Sequence, residues 1–174
     1  MGARSVRPDL YAMKHMKKHI WCSVMILCIV AFDQITKYFA LHYLKDSNAV
    51  TLIPKVVQFR YAENTGMAFS MFSGARWIFI ALTVIVCAGA LWYLFSNRCS
   101  NLVMYWSIGV IIAGGIGNLI DRVRLAYVID FIEPVFVNFA VFNIADLAVT
   151  LGACVLVCYL VIDAFGKKGD KDAR

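Results

Sequence analysis

Four stretches of the chain, residues 20–44, 76–95, 102–120 and 144–165, each run for 19 residues or more with almost no charge. About 20 helical residues cross about 30 Å of hydrocarbon, so each stretch has the length of a membrane span. No water reaches a bilayer core to satisfy backbone amides, and a spanning segment of this kind closes its hydrogen bonds within itself as a helix. With 61% hydrophobic and 16% charged residues among 174, more apolar surface is present than one small soluble core can hide. The expected fold is an all-α membrane protein of four transmembrane helices. The basic start followed by Ile20 to Ala31 is like a signal peptide, but the apolar run continues to Leu44 without a small-residue cleavage site, which reads as a retained first helix.

An even number of spans puts both termini on one side. Basic residues gather there, with Arg4, Arg7, Lys14, Lys17 and Lys18 before the first span and Lys167, Lys168, Lys171 and Arg174 after the last, and Arg98 in the short second connection. This bias places both termini in the cytoplasm and suits contact with anionic membrane lipids. The net charge of +6 is therefore no sign of nucleic acid, which would need a basic stripe on a soluble domain. The expected organisation is a basic cytoplasmic tail (1–19), one transmembrane domain (20–165) and a second basic tail (166–174). The six cysteines show no metal-ligand spacing: Cys22, Cys28, Cys87, Cys154 and Cys158 lie in apolar runs and Cys99 in a polar connection, as packing residues would.

The outward connections, 45–75 and 121–143, are the long ones, and connections of that length tend to be functional. Val57, Phe59 and Tyr61 alternate with Gln58 and Arg60, a half-buried strand pattern that Pro54 should interrupt if it ran longer. A small sheet on the outer bilayer surface is expected, with further strands within 127–142.

Ionisable groups at membrane depth cost free energy unless partnered, and here they converge near one surface. Asp33 and Lys37 share a face of the first helix; Asn118, Asp121 and Arg122 close the third; Asn143 and Asp146 open the fourth; Glu63 and Asn64 precede the second; Asp130 lies in the third connection. Asp33 and Lys37 read as a pair that fixes helix packing. Asp121 and Arg122 suit local pairing or ligand binding equally. Asp130 lies in an apolar Val-Ile-Asp-Phe-Ile setting that disfavours its anion, whereas Asp146 stands at a helix start that favours one. Two carboxylates with separated titrations are the basis of aspartic protease chemistry, although Asp146 as a helix cap and Asp130 as an exposed loop residue remain open at this point. Nucleophilic triads and His-Glu-x-x-His metal chemistry lack their motifs, with His42 the sole histidine near that surface. A proton-coupled transporter needs a polar path across the bilayer, and the cytoplasmic halves of the spans carry almost no ionisable residue besides Asp163. A purely structural bundle leaves the polar convergence unexplained.

Five blocks, Asp33-Gln34-Ile35-Thr36-Lys37, Glu63-Asn64-Thr65-Gly66-Met67-Ala68-Phe69-Ser70, Gly114-Gly115-Ile116-Gly117-Asn118-Leu119-Ile120-Asp121-Arg122, Val128-Ile129-Asp130-Phe131-Ile132 and Phe142-Asn143-Ile144-Ala145-Asp146, resemble in sequence and order those of the bacterial lipoprotein signal peptidase (type II signal peptidase) family. The resemblance covers residues 20–165. It implies four helices with a small β-cradle on the outer face of the bacterial inner membrane. It also implies cleavage of the signal peptide just before a diacylglyceryl-modified cysteine of a prolipoprotein. By motif position, Asp130 and Asp146 match the catalytic pair and Asp33 and Lys37 the structural pair. Asn64, Asn118, Asp121, Arg122 and Asn143 match the polar shell that holds substrate and orients the pair. No metal or organic cofactor is implied, and a monomer is expected. Two departures bear on pocket shape: Met67 stands where the family often has a smaller residue, and an Ala/Gly exchange shifts the glycine pattern across Ala113 to Gly115.

Overall fold

The computed structural model describes residues 8–66 and 76–172; Arg4, Arg7 and Arg174, and the motif stretch Met67 to Ser70, lie outside the described residues. Helix α1 (Pro8–Tyr43) is followed by strands β1 (Val50–Ile53) and β2 (Val57–Asn64), helices α2 (Arg76–Phe95) and α3 (Leu102–Leu125), strand β3 (Val128–Pro134) and helix α4 (Ile144–Asp172). Each helix contains a segment long and apolar enough to cross a membrane: Met16–Tyr43, Arg76–Phe95, Leu102–Leu125 and Ile144–Gly166. Leu27, Ile78, Ile85 and Ile162 on these segments are 67–71% exposed, a surface that only lipid or another chain would cover.

Three helices run past the expected limits. The flanks read as tails are helical from Pro8 and up to Asp172, because lysine-rich sequence without proline sustains a helix and Pro8 occupies the first helical position, where its missing N–H costs nothing. Helix α3 passes the expected end at residue 120 and reaches Leu125, where Ala126 turns left-handed with φ 73°. Arg76 holds this end, its Nε and Nη2 donating to the carbonyls of Arg122 and Val123 at 2.8 Å, which a helix terminus otherwise leaves unpaired. At its start the Asn101 side chain accepts from the Met104 N–H at 3.0 Å, an N-cap.

Helix α3 is the hub, packed on α1, α2 and α4. Its glycines permit this. A Cβ on Gly114 would collide with the Ala145 carbonyl of α4, and one on Gly117 would lie 2.6 Å from the Asp33 carboxylate of α1. At the end bearing the termini, Cys22, Ile26, Leu94, Cys99, Tyr105, Ile112 and Ala113 form one core, and Lys18 donates to the Cys99 carbonyl at 3.1 Å. At the opposite end Ala40, Ile129 and Phe131 form a second core under the sheet.

The sheet is antiparallel in the order β1-β2-β3. Pro54 makes the turn between β1 and β2: Val56 N–H donates to the Ile53 carbonyl at 3.0 Å and Lys55 takes φ 63°, the left-handed third position of a type II turn. On β2 the register shifts by one between Phe59 and Ala62, so Ala62 pairs with Asp130 and Asn64 with Val128. Above that bulge Arg60 grips Glu133 through Nε at 2.8 Å and Nη2 at 2.7 Å, joined by Gln58 at 2.6 Å. The strands expected within 127–142 reduce to β3 and a bridge between Ile132 and Phe142, the strand ending at Pro134, which has no N–H to continue the ladder.

Candidate active site

The polar residues lie at the sheet end of the bundle in one connected network. Its base is an ion cluster. Lys37 Nζ donates at 2.9 Å to Asp33 Oδ2, to Asp121 Oδ2 and to Asn118 Oδ1, using all three ammonium hydrogens. Asp33 is 0% exposed, and Lys37 and Asp121 2% each. Asp33 Oδ1 accepts the Ala145 N–H at 2.9 Å, and Asp121 Oδ2 accepts the Ile129 N–H at 3.2 Å. One cluster thereby ties α1 to α3, to the first turn of α4 and to the first residues of β3. The expected pair Asp33–Lys37 is thus a triad with Asp121, and Asp121 is absent from the residues that line the cavity. Gln34, which the sequence reading left unassigned, bridges Asp121 Oδ1 at 3.0 Å and the Gly117 carbonyl at 3.2 Å.

Two further carboxylates sit above this base. Asp146 is the third residue of α4 and forms a reciprocal cap with Asn143: the Asp146 N–H donates to Asn143 Oδ1 at 3.0 Å, and the Asn143 N–H donates to Asp146 Oδ2 at 3.2 Å. The cap reading of Asp146 therefore holds, yet its other oxygen is free of it and accepts from Asn118 Nδ2 at 2.7 Å. Asp130 is 2% exposed within β3, which disposes of the exposed-loop reading. It accepts from Asn143 Nδ2 at 2.7 Å and from Asn64 Nδ2 at 3.1 Å. Burial and the neighbouring charge of Asp146 push its carboxyl up to about 7, against the pull of the Asn64 and Asn143 donors and of Lys37.

Between α2, α3, α4 and the 139–142 segment lies a cavity of about 520 Å³. Phe79, Leu82, Val128, Phe139, Leu147 and Val149 make it largely apolar, and Asn64, Asn118, Arg122 and Asp146 give it a polar wall. Arg122 is fixed by donating to the Gly66 carbonyl at 3.1 Å, with its guanidinium 5.6 Å from the Phe79 ring centroid. All nine residues singled out in the sequence thus meet at this end of the molecule. His42 does not: it is exposed and bonded to the Tyr38 carbonyl of its own helix, and among the described residues no histidine joins this network. Among the described residues no group of three or more His, Cys, Asp or Glu side chains is placed to hold a metal ion.

Sequence reasoning missed Arg76 and the apolar lining, Phe79, Leu82, Phe139 and Leu147. The signal for Arg76 was a lone cation at the start of an apolar run; the lining residues carry no signal, because they look like any other span residue.

Four membrane-length helices that bring Asp146 to the polar wall of an apolar cavity, with the buried Asp130 joined to it through Asn143, fit a multi-pass membrane peptidase of the aspartic class. The family model for signal peptidase (SPase) II matches residues 25–162. Among the similar proteins are the lipoprotein signal peptidases of Streptococcus pyogenes serotype M6, 41% identical, and serotype M3, 40% identical, each over 145 residues that make up 83% of this chain and 95% of the relative. A bacterial membrane enzyme solved by the in meso method superposes with a TM-score of 0.79 at 31% identity, covering 84% of this chain and 90% of that one. The chain belongs to the signal peptidase II family, and it is an aspartic-type peptidase that removes signal peptides from prolipoproteins.

Proposed function

We propose that Asp130 and Asp146 are the pair that activates water, and that the bond they cut precedes a cysteine carrying a diacylglyceryl group. The observation that carries this reading is Asn143, which donates from its side chain to Asp130 at 2.7 Å and from its backbone to Asp146 at 3.2 Å, tying Asp130 to the Asp146 that lines the apolar cavity. A carboxyl pushed up to about 7 keeps a proton where an ordinary aspartate has lost it. The pair then holds one proton between two groups, one accepting from water as it attacks and the other donating to the scissile carbonyl. As the tetrahedral intermediate collapses, the proton taken from water passes to the leaving amine.

Asn64, Asn118 and Asn143 orient the carboxylates, and Arg122, on the cavity wall, holds substrate polar groups. Asp33, Lys37 and Asp121 hold the helices that carry the pair. Residues 20–165 act as one peptidase domain, working as a monomer, with both termini in the cytoplasm and the site near the outer face of the inner membrane. The basic residues flanking the first and last spans support that orientation. Neither metal nor organic cofactor enters this chemistry.

The test is to follow processing of a lipid-modified precursor by Asp130→Asn and Asp146→Asn chains that insert normally. Each should lose activity by at least about 10³-fold. Normal cleavage by either variant refutes the pair.

A further inference from the structure

Helix α2 packs on α3 and scarcely on α4, yet both α2 and α4 wall the cavity, Leu82 and Thr83 from one side and Leu147 and Thr150 from the other. The cavity is therefore a slot whose back is α3 and whose width depends on how closely α2 lies against α3. At Gly115 that approach leaves no room for a side chain. Gly115, one turn of α3 from Asn118, lines the slot, and a Cβ built on it would sit 2.9 Å from the Cys87 sulfur and 3.8 Å from a Thr83 methyl. Cys87 is 8% exposed, one turn along α2 from Thr83.

We infer that the Gly115–Cys87 contact sets the width of the slot between α2 and α4, and thereby which acyl chains on the substrate cysteine the enzyme accepts. The inference rests on the reading that the slot receives the lipid-bearing end of the precursor. That occupant follows from the proposed diacylglyceryl-modified substrate and from the slot's apolar walls lying between membrane spans. A methyl on Gly115 reaches ordinary contact distance only if the sulfur turns away or α2 moves by about 1 Å. Because α2 has little hold elsewhere in the bundle, the slot changes width.

The experiment uses the full chain in lipid vesicles and two precursors, identical but for longer or shorter acyl chains on the cysteine. Gly115→Ala should change the ratio of kcat/KM for the two by about tenfold, since displacements of this size at an active site carry such effects. Cys87→Ala in the Gly115→Ala chain should return the ratio most of the way to the wild-type value, because the new methyl then fills the space the sulfur leaves, a coupling that independent sites do not show. Cys87→Met presses the same contact from the α2 side and should move the ratio in the same direction, which keeps the test intact if Gly115→Ala does not accumulate. A ratio unmoved in both variants, or one that Cys87→Ala fails to reverse, overturns the inference. A wild-type chain that cleaves neither lipid-modified precursor fails the parent reading instead.

Discussion

Replacing Lys37 by methionine keeps an unbranched side chain, one atom shorter, and removes its charge from the centre of the network. The ammonium lies 2.9 Å from each of Asp33 and Asp121, and none of the three residues is more than 2% exposed. Without it two carboxylates stay buried with no cation between them, and removing one partner of a buried ion pair costs about 3–5 kcal/mol. Against a typical total of about 5–15 kcal/mol, that is a large share of stability. At about 2–4 °C per kcal/mol for a chain of this size, Tm should fall by about 10 °C. The Arg60–Glu133 pair supplies the internal comparison: Arg60 is 49% exposed, surface pairs contribute about 0–1 kcal/mol, and Glu133→Gln should lower Tm by less than about 4 °C. Turnover per folded molecule should fall less than about tenfold in Lys37→Met, because Asn118 keeps its second anchor, the Asn143 side chain at 3.1 Å. The assay is thermal unfolding of the solubilised full chain by tryptophan fluorescence, paired with single-turnover processing normalised to folded protein. Adding Asp33→Asn and Asp121→Asn to Lys37→Met should recover part of the lost Tm. An unchanged Tm with abolished turnover would refute the structural role and place Lys37 in the chemistry.

Two other perturbations follow from the same geometry. Asn64 donates to Asp130 at 3.1 Å and so favours its anion; Asn64→Ala should raise that carboxyl further and carry the alkaline limb of the pH–rate profile to higher pH, and a limb that stays put or moves down refutes the assignment. The same group has a stability consequence: an acid whose folded value is raised to about 7 from 3.8 contributes fully below the lower value and loses that contribution as pH rises through the upper one. Asp130→Asn should accordingly flatten the decline in Tm between about pH 4 and 7. Gly117→Ala places a methyl 2.6 Å from Asp33 Oδ2 and 3.0 Å from Ala145 Cβ, an overpacking worth about 1–3 kcal/mol, whereas Gly89→Ala, with nothing within 4 Å, should match or exceed wild-type Tm.

The spans were legible because hydrocarbon thickness imposes one length on every crossing segment, and the runs beginning at Arg76, Leu102 and Ile144 are read to the residue at their starts. The far end of α2 at Phe95 was legible too, but those of α3 and α4 were not. The end of α3 depends on Arg76, a residue 46 positions from the carbonyl it caps, and no local pattern announces such a contact. Asp130 and Asp146 were legible as polar residues that hydrocarbon surroundings make costly. The place of Asp121 was not, since it turns on which way the α3 face points, toward Lys37 or toward the cavity. The apolar walls were illegible in principle: Phe79 and Leu82 face the slot while Ile78, on the same helix, is 68% exposed, and only packing distinguishes them.

The polarity of the site can be followed bond by bond from Lys37. An ammonium has only donors, so the Asn118 atom at 2.9 Å from it is the amide oxygen, and the Asn118 nitrogen is left to donate to Asp146 at 2.7 Å. Asn143 is fixed independently, since the Asp146 backbone N–H at 3.0 Å makes the facing atom its oxygen, and its nitrogen therefore donates to Asn118 and to Asp130. The Gly66 N–H settles Asn64 in the same way at 3.0 Å, leaving its nitrogen toward Asp130. All four carboxylate oxygens of Asp130 and Asp146 thus face an N–H donor, three from asparagine side chains and one from the Asn143 backbone. Amides do not titrate, so these donors would stay in place as a proton moves between the two carboxyls of the proposed pair. A charged residue at any of the three positions would tie the donor's own protonation to that of the pair. Asn118 and Asn143 stand between the Lys37 cluster beneath and the two carboxylates proposed to exchange a proton.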